Sequence, residues 1–243
     1  GGACDGYKYQ DIGYVMRGGR EMDNHFECMW DLFRSIPSIE DENHTVLDEY
    51  YWLNKDDPNY SLCRATVNRG QDAHTDGKFG LSDKGAMEIL QLFMTPDEKL
   101  YDKKITDFFD DEVLNTNFWM YWRTMFAFEN WHSALEMKRY LQRYIHHIGG
   151  LPDFTALRFT RYNQYESMIL PMVKYLESFG VQFHYNTKVV NVAFDCAGGK
   201  KQATRIDILR DGLEDCIDLT ENDLVFITNG GCVENSTIGS QNT

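Results

Sequence analysis

The chain has 243 residues, 42% of them hydrophobic, and 38 acidic against 24 basic side chains give a formal net charge of −14. That length and apolar content suffice for a sizeable core, while the acidic balance argues against nucleic acid or an anionic membrane as the main partner, since both recruit Lys and Arg. Six cysteines (Cys4, Cys28, Cys63, Cys196, Cys216 and Cys232) lie apart without a C-x-x-C pair; scattered reduced thiols of this kind point to a cytoplasmic protein rather than a disulfide framework. No signal peptide or membrane span is visible. The missing initiator Met and the glycine-containing ends suggest a fragment of a longer chain.

In chain order, Gly1 to Arg20 reads as a glycine-rich loop with one short strand in Ile12 to Met16. From Met22 to Ile36, apolar residues recur at helical spacing until Pro37 ends the run. "VLDEYYWLN" and "LCRATVN", separated by Asp57-Pro58-Asn59, predict a hairpin. Between about Asp83 and Ile148 the pattern is helical, with Thr95-Pro96-Asp97-Glu98 as a helix start. The aromatic and Met-rich run from Phe118 to Phe128 suits either packed core or the wall of an apolar ligand cavity.

After Gly149-Gly150 the pattern changes. Tyr165 to Phe179 predicts a helix closed by Gly180, "VQFHYNTKVVNVAF" and "RIDILR" predict strands with Asp211-Gly212 as a turn, and "DLVFITNGG" predicts a buried strand. This order suggests an α/β layer.

Few complete chemical motifs occur. A full G-x-G-x-x-G is absent; Gly1-Gly2 and Gly6 are a weak echo, and Thr228-Asn229-Gly230-Gly231 after a strand suits either a nucleotide contact or a plain turn. Glu129-x-x-His132 is half of a di-iron motif without its second half, and His146-His147 reads as structural, so no metal site is expected. Neither G-x-S-x-G, nor a Walker A loop, nor H-E-x-x-H is present. Glu21, beside arginine and glycine at a helix start, has a plain explanation in the helix dipole.

Taken together, "RGGREMDNHFECMWDLFRSIPS", "YYWLNKDDPNYS", "NFWMYWRTMFAFENWHSALEMKRYLQRYIHHI", "GLPDFTALRFTRYNQYESMILPMVKYLE" and "VFITNGG" resemble the oleate hydratases, fatty acid hydratases once called myosin-cross-reactive antigens. The resemblance covers nearly the whole chain. It implies FAD-dependent addition of water to the cis-9 double bond of oleic acid, giving 10-hydroxystearic acid. By the family's motifs, Glu21 and Tyr140 would be catalytic, while Gly1, Gly2, Arg17, Gly18, Gly19, Arg20, Val189, Asn229 and Gly230 would contact FAD. Ala3 stands where the family's phosphate-side loop has serine, which puts a hydroxyl contact there in doubt.

The implied fold is α/β: part of an FAD-binding Rossmann-like domain with an inserted, largely helical substrate domain. Residues 1–21 would supply an FAD-contacting loop and strand, 22–150 a mixed hairpin and helical substrate domain, and 151–243 a helix and strands returning to the FAD-binding domain. The implied partner is an unsaturated fatty acid, with peripheral membrane contact through parts outside this segment and a homodimer. Two other readings stay open: an FAD-dependent oxidoreductase of the amine oxidase type, and a noncatalytic lipid-binding fragment.

Overall fold

The computed structural model of the chain describes residues 4, 6–16, 21–58, 65–155 and 157–228. In order, its elements are β1 (Gly6–Tyr9), β2 (Gly13–Met16), β3 (Glu21–Met22), α1 (Glu27–Phe33), α2 (Val46–Asp56), β4 (Thr66–Val67), β5 (Gln71–Asp72), α3 (Asp83–Met94), α4 (Asp111–Leu114), α5 (Asn117–Phe126), α6 (Ala134–Tyr144), β6 (Arg158–Phe159), α7 (Leu170–Ser178), β7 (Thr187–Asp195), β8 (Gln202–Arg210) and β9 (Leu213–Asp218). The architecture is mixed α/β. Among the described residues every strand pairing is antiparallel: β1 with β2, β3 with β6, β4 with β5, and β7 with β8 with β9.

The chain divides into two units, one formed by residues 1–19, 36–43 and 162–243, the other by 20–35 and 44–161. In the first, β7, β8 and β9 form a meander closed by the Asp211-Gly212 turn, both residues at positive φ. One turn of π-helix, Tyr165–Ile169, leads into α7. Gly180, at φ +84°, follows that helix where the left-handed backbone favours glycine.

The second unit has two parts. Around β3 and β6, the α1 residue Trp30 stacks on Tyr50 of α2 with ring centroids 3.9 Å apart, and the Tyr50 hydroxyl donates to Asn24 Oδ1 at 2.7 Å. Asn54 of α2 donates to the Phe159 carbonyl at 2.8 Å and accepts from its amide at 3.1 Å, fixing β6, which pairs Glu21 with Phe159. The other part packs α3 to α6 around Leu92, Leu100, Ile105, Val113, Phe118, Trp119, Trp122, Met137 and Leu141, each no more than 1% exposed. Side-chain caps set the helix starts: Ser82, Asp110, Thr116 and Ser133 each accept an amide of the first turn. Between α3 and α4 the backbones approach so closely that a Cβ on Gly85 would lie 2.6 Å from the Glu112 carbonyl oxygen.

Two sequence expectations fail. "VLDEYYWLN" is α2, not the first arm of a hairpin: Thr45 and Asp48 form a reciprocal capping box, and Val46 and Tyr50, four residues apart, bury one face. The hairpin in this region is the short β4–β5 pair. Residues 223–228 are not a buried strand either. Leu224 and Phe226 are 84% and 88% exposed, and among the described residues no backbone ladder pairs with them. An apolar run becomes a strand only where partner N–H and C=O groups meet it.

Other expectations are trimmed rather than reversed. The helix read from Met22 to Ile36 is α1 alone, and Pro96-Asp97-Glu98 starts only the 3₁₀ turn Asp97–Lys99. Cys4, Cys28, Cys196 and Cys216 are free thiols. Among the described residues no helix is long and apolar enough to cross a membrane.

Candidate active site

Within the second unit lies a cavity of about 390 Å³, in the range of small-molecule pockets. Glu21, Met22, Asp23 and Phe26 line one part of it; α5 supplies Tyr121, Thr124, Met125 and Phe126; Tyr144, His147, Leu151, Phe154 and Leu157 complete the wall. The lining is mainly apolar with a few polar groups, as suits an organic ligand with one reactive or hydrogen-bonding region.

Helix α5 explains why the Phe118 to Phe128 run answers to both sequence readings. Phe118, Trp119 and Trp122 belong to the core, Thr124 and Met125 line the cavity, and Tyr121, three and four residues before those two, does both. The helix ends at Ala127 in the left-handed conformation, and Trp119 Nε1 donates to Asn130 Oδ1 at 2.9 Å just beyond it.

Glu21, the first residue of β3, is exposed yet lines the cavity. Asp23, two residues on, is only 3% exposed. The His25 amide donates to Asp23 Oδ1 at 2.8 Å, and Trp30 Nε1 donates to the Asp23 carbonyl at 2.8 Å. His147 Nε2 lies 2.9 Å from Asp23 Oδ1 and His146 Nε2 3.7 Å from it, while Arg143 Nη2 lies 3.5 Å from Oδ2. Burial pushes the Asp23 carboxyl up, but the His25 amide, His147 and Arg143 together outweigh it and hold the group below its ordinary value. Burial pushes the His147 imidazole down, and the nearby Asp23 only partly offsets this. Asp23 is therefore ionised and His147 neutral near pH 7, with Arg143 as the fixed counter-charge.

The sequence reading has the histidine pair as structural, on the ground that adjacent residues rarely reach one ion. Yet both rings reach one carboxylate, because residues 145–150 form a 3₁₀ turn after α6. Asp23, His146 and His147 each bring one potential ligand atom within 4.8 Å of the others, the arrangement among the described residues that could hold a metal ion. Arg143 already sets a competing cation against that carboxylate. Glu129 and His132 instead close a turn on themselves, the Glu129 amide donating to His132 Nδ1 at 3.1 Å, and the Glu129 carboxylate pairs with Arg123.

Tyr140, on α6, is half-buried and does not itself line the cavity. Its ring centroid lies 5.5 Å from that of Phe126 and 5.7 Å from that of Tyr144, both of which do. Burial pushes the Tyr144 phenol up. Val189 lies on β7 beside a register irregularity and is 56% exposed. Gly1, Gly2, Arg17, Gly18, Gly19, Arg20, Asn229 and Gly230 lie outside the described residues.

Sequence reasoning did not single out Asp23, Tyr144 or His147 as cavity groups, and it offered Tyr121 and Thr124 only as part of the Phe118 to Phe128 run.

The MCRA family model matches residues 1–243. This chain belongs to the MCRA family. Among curated relatives, the oleate hydratase of Streptococcus pyogenes serotype M49 (strain NZ131) is 51% identical over 240 residues, 99% of this chain and 40% of the relative. The linoleate hydratase of Lactiplantibacillus plantarum is 32% identical over 241 residues, 95% of this chain and 42% of the relative. This MCRA family chain spans about two fifths of the length of these curated relatives.

Proposed function

We propose that the chain contributes the water-activating part of a fatty acid hydratase, a hydro-lyase that adds water to the cis-9 double bond of oleic acid to give 10-hydroxystearic acid. The observation that carries this reading is the cavity itself: an apolar hollow, suited to a hydrocarbon, with the Glu21 carboxylate in its wall. Family membership and the two hydratase relatives support it.

The chemistry asks for what that wall offers. An isolated alkene is a weak base and neutral water a weak nucleophile, so one end needs an acid and the other a base. In the proposed reaction the π bond breaks as a proton passes to one carbon, and water oxygen bonds to the neighbouring carbon as positive charge develops there. Glu21 holds that water, stabilises the cationic charge and takes the proton the water loses. Tyr140 is the proposed proton donor, acting from the aromatic group it forms with Phe126 and Tyr144. Glu21 ends protonated and Tyr140 ionised, and passage of that proton back to Tyr140 through solvent restores both, so atoms balance as substrate plus one water and no oxidant enters. An oxidoreductase gains no comparable support from these relatives, whose names are both hydratases.

FAD is the proposed cofactor, bound through Gly1, Gly2, Arg17, Gly18, Gly19, Arg20, Val189, Asn229 and Gly230 in the Rossmann-like domain that the family resemblance implies. Val189 is the one of these among the described residues, and its exposure beside the equally open Val190 fits a surface that another group covers. FAD would supply a flat wall and charge rather than electrons, because hydration transfers none. Peripheral membrane contact and homodimerisation belong to the same proposal and rest on the resemblance.

Incubating the intact protein with oleate and analysing the lipid by mass spectrometry tests the reading. The expected product is oleate plus one water carrying oxygen from labelled solvent. Oxidised lipid with bleached flavin, or recovery of oleate unchanged, overturns it.

A further inference from the structure

Among the buried side-chain polar atoms that lack a hydrogen-bond partner within the described residues, Asp23 Oδ2 and the Tyr121 hydroxyl belong to residues lining the cavity that Glu21 borders, and His147 Nε2 there has only the Asp23 carboxylate, 2.9 Å away. Buried polar atoms are ordinarily satisfied, so their concentration at one hollow points to a ligand that brings hydrogen-bonding atoms of its own. Asp23 and His147 have each other and Arg143 for electrostatic company. Among the described residues Tyr121 has none: it is 3% exposed, its neighbours include Phe79 edge-on at 6.3 Å, and it borders the cavity from α5 while packing among core residues. Phenylalanine would fill nearly the same volume without burying an unpaired hydroxyl, and that burial is unfavourable unless something bonds to it.

We infer that the Tyr121 hydroxyl is a substrate-facing group that hydrogen-bonds an oxygen carried inside the apolar cavity, so that the site prefers an acyl chain bearing a mid-chain hydroxyl over the same chain without one. The inference rests on the hydratase reading and deepens it. The oxygen met by Tyr121 is the attacking water before reaction and the new secondary alcohol after it. A phenol suits both, since it donates to one oxygen and accepts from its hydrogen without changing charge. In an otherwise apolar hollow such a contact also fixes where along the chain the oxygen sits. Tyr121 thereby becomes a determinant of position as well as of affinity.

The test is the conservative exchange Tyr121→Phe in the intact protein, read in three ways. Calorimetric titration compares 10-hydroxystearate with stearate. Wild type should bind the hydroxylated chain several-fold to about tenfold more tightly, the range of one net hydrogen bond, and Tyr121→Phe should lose that preference while keeping its affinity for stearate. Thermal unfolding should show a melting temperature no lower than wild type, because no structural partner is lost. Turnover of oleate should fall in the variant.

A preference retained in Tyr121→Phe, or absent from wild type, overturns the inference. So does a lowered melting temperature, which would mean that the hydroxyl serves the fold. These outcomes separate from failure of the hydratase reading. If wild type hydrates oleate but the exchange leaves the binding preference intact, only the role of Tyr121 falls. If wild type yields no hydroxylated lipid, the hydratase reading falls, and the two titrations still decide what Tyr121 recognises.

Discussion

Asp23 Oδ1 and His147 Nε2 lie 2.9 Å apart in the wall of the cavity that Glu21 also lines. They tie the turn after β3 to the turn after α6, residues more than a hundred positions apart in the chain. Both titrate below their ordinary values, and the consequence for stability has a definite sign. Below 6.5, the ordinary His value, the unfolded chain takes up the His147 proton before the folded one does. Stability is therefore present above that pH and declines as acid is added towards the folded value. Asp23 adds a second decline below 3.8, its own ordinary value. His25, His146, Tyr144 and Arg143 surround the pair and share its field.

His147→Gln should accordingly flatten the loss of stability that begins below pH 6.5. Chemical denaturation at a series of pH values measures this. A slope identical to wild type would show that His147 is not the group responsible.

Glu21→Gln should leave the fold intact, because Glu21 is exposed and its place in β3 is held through the backbone. Hydration should fall by at least about a hundredfold, the lower range for an acid or base group. Near-normal turnover would remove Glu21 from the mechanism.

Tyr140→Phe keeps the ring that packs against Phe126, Phe128 and Tyr144 and removes only the phenolic proton. Oleate binding should persist while hydration drops by about a hundredfold or more. Unaltered product formation would exclude Tyr140 as the donor.

Thr45→Ala removes one half of the capping box with Asp48. A loss of about 1 kcal/mol is expected, read as a shift in denaturation midpoint. It should also loosen β6, since Asn54 of the same helix holds both polar groups of Phe159. Hydrogen exchange at the Phe159 amide reports that second effect, and unchanged protection there would separate the cap from the strand.

The helical run from α3 to α6 was legible because it lacks strand signals, whereas the Ser, Thr or Asp caps that set its starts went unread and the one start named, at Thr95-Pro96, yields only a 3₁₀ turn. Residues 46–56 misled because Val, Tyr and Trp favour strands as isolated types, while the decisive information sat one residue earlier, in Thr45-x-x-Asp48. Glu21 was found through the family motif rather than through physics. Its companions Tyr121 and His147 belong to distant elements, and their convergence on one hollow is a property of tertiary packing that no local spacing encodes. For residues 223–228 the pattern named an apolar run correctly, yet whether such a run enters a sheet depends on a neighbour, which is non-local information.

Helix α5 seats Trp119 and Trp122 in the interior while Thr124 and Met125, within one or two turns, border the hollow. Positions that tolerate change and positions that forbid it therefore interleave along a single rod. The shape of the hollow can therefore change by single exchanges on one side of it, with the keel of the helical bundle left in place.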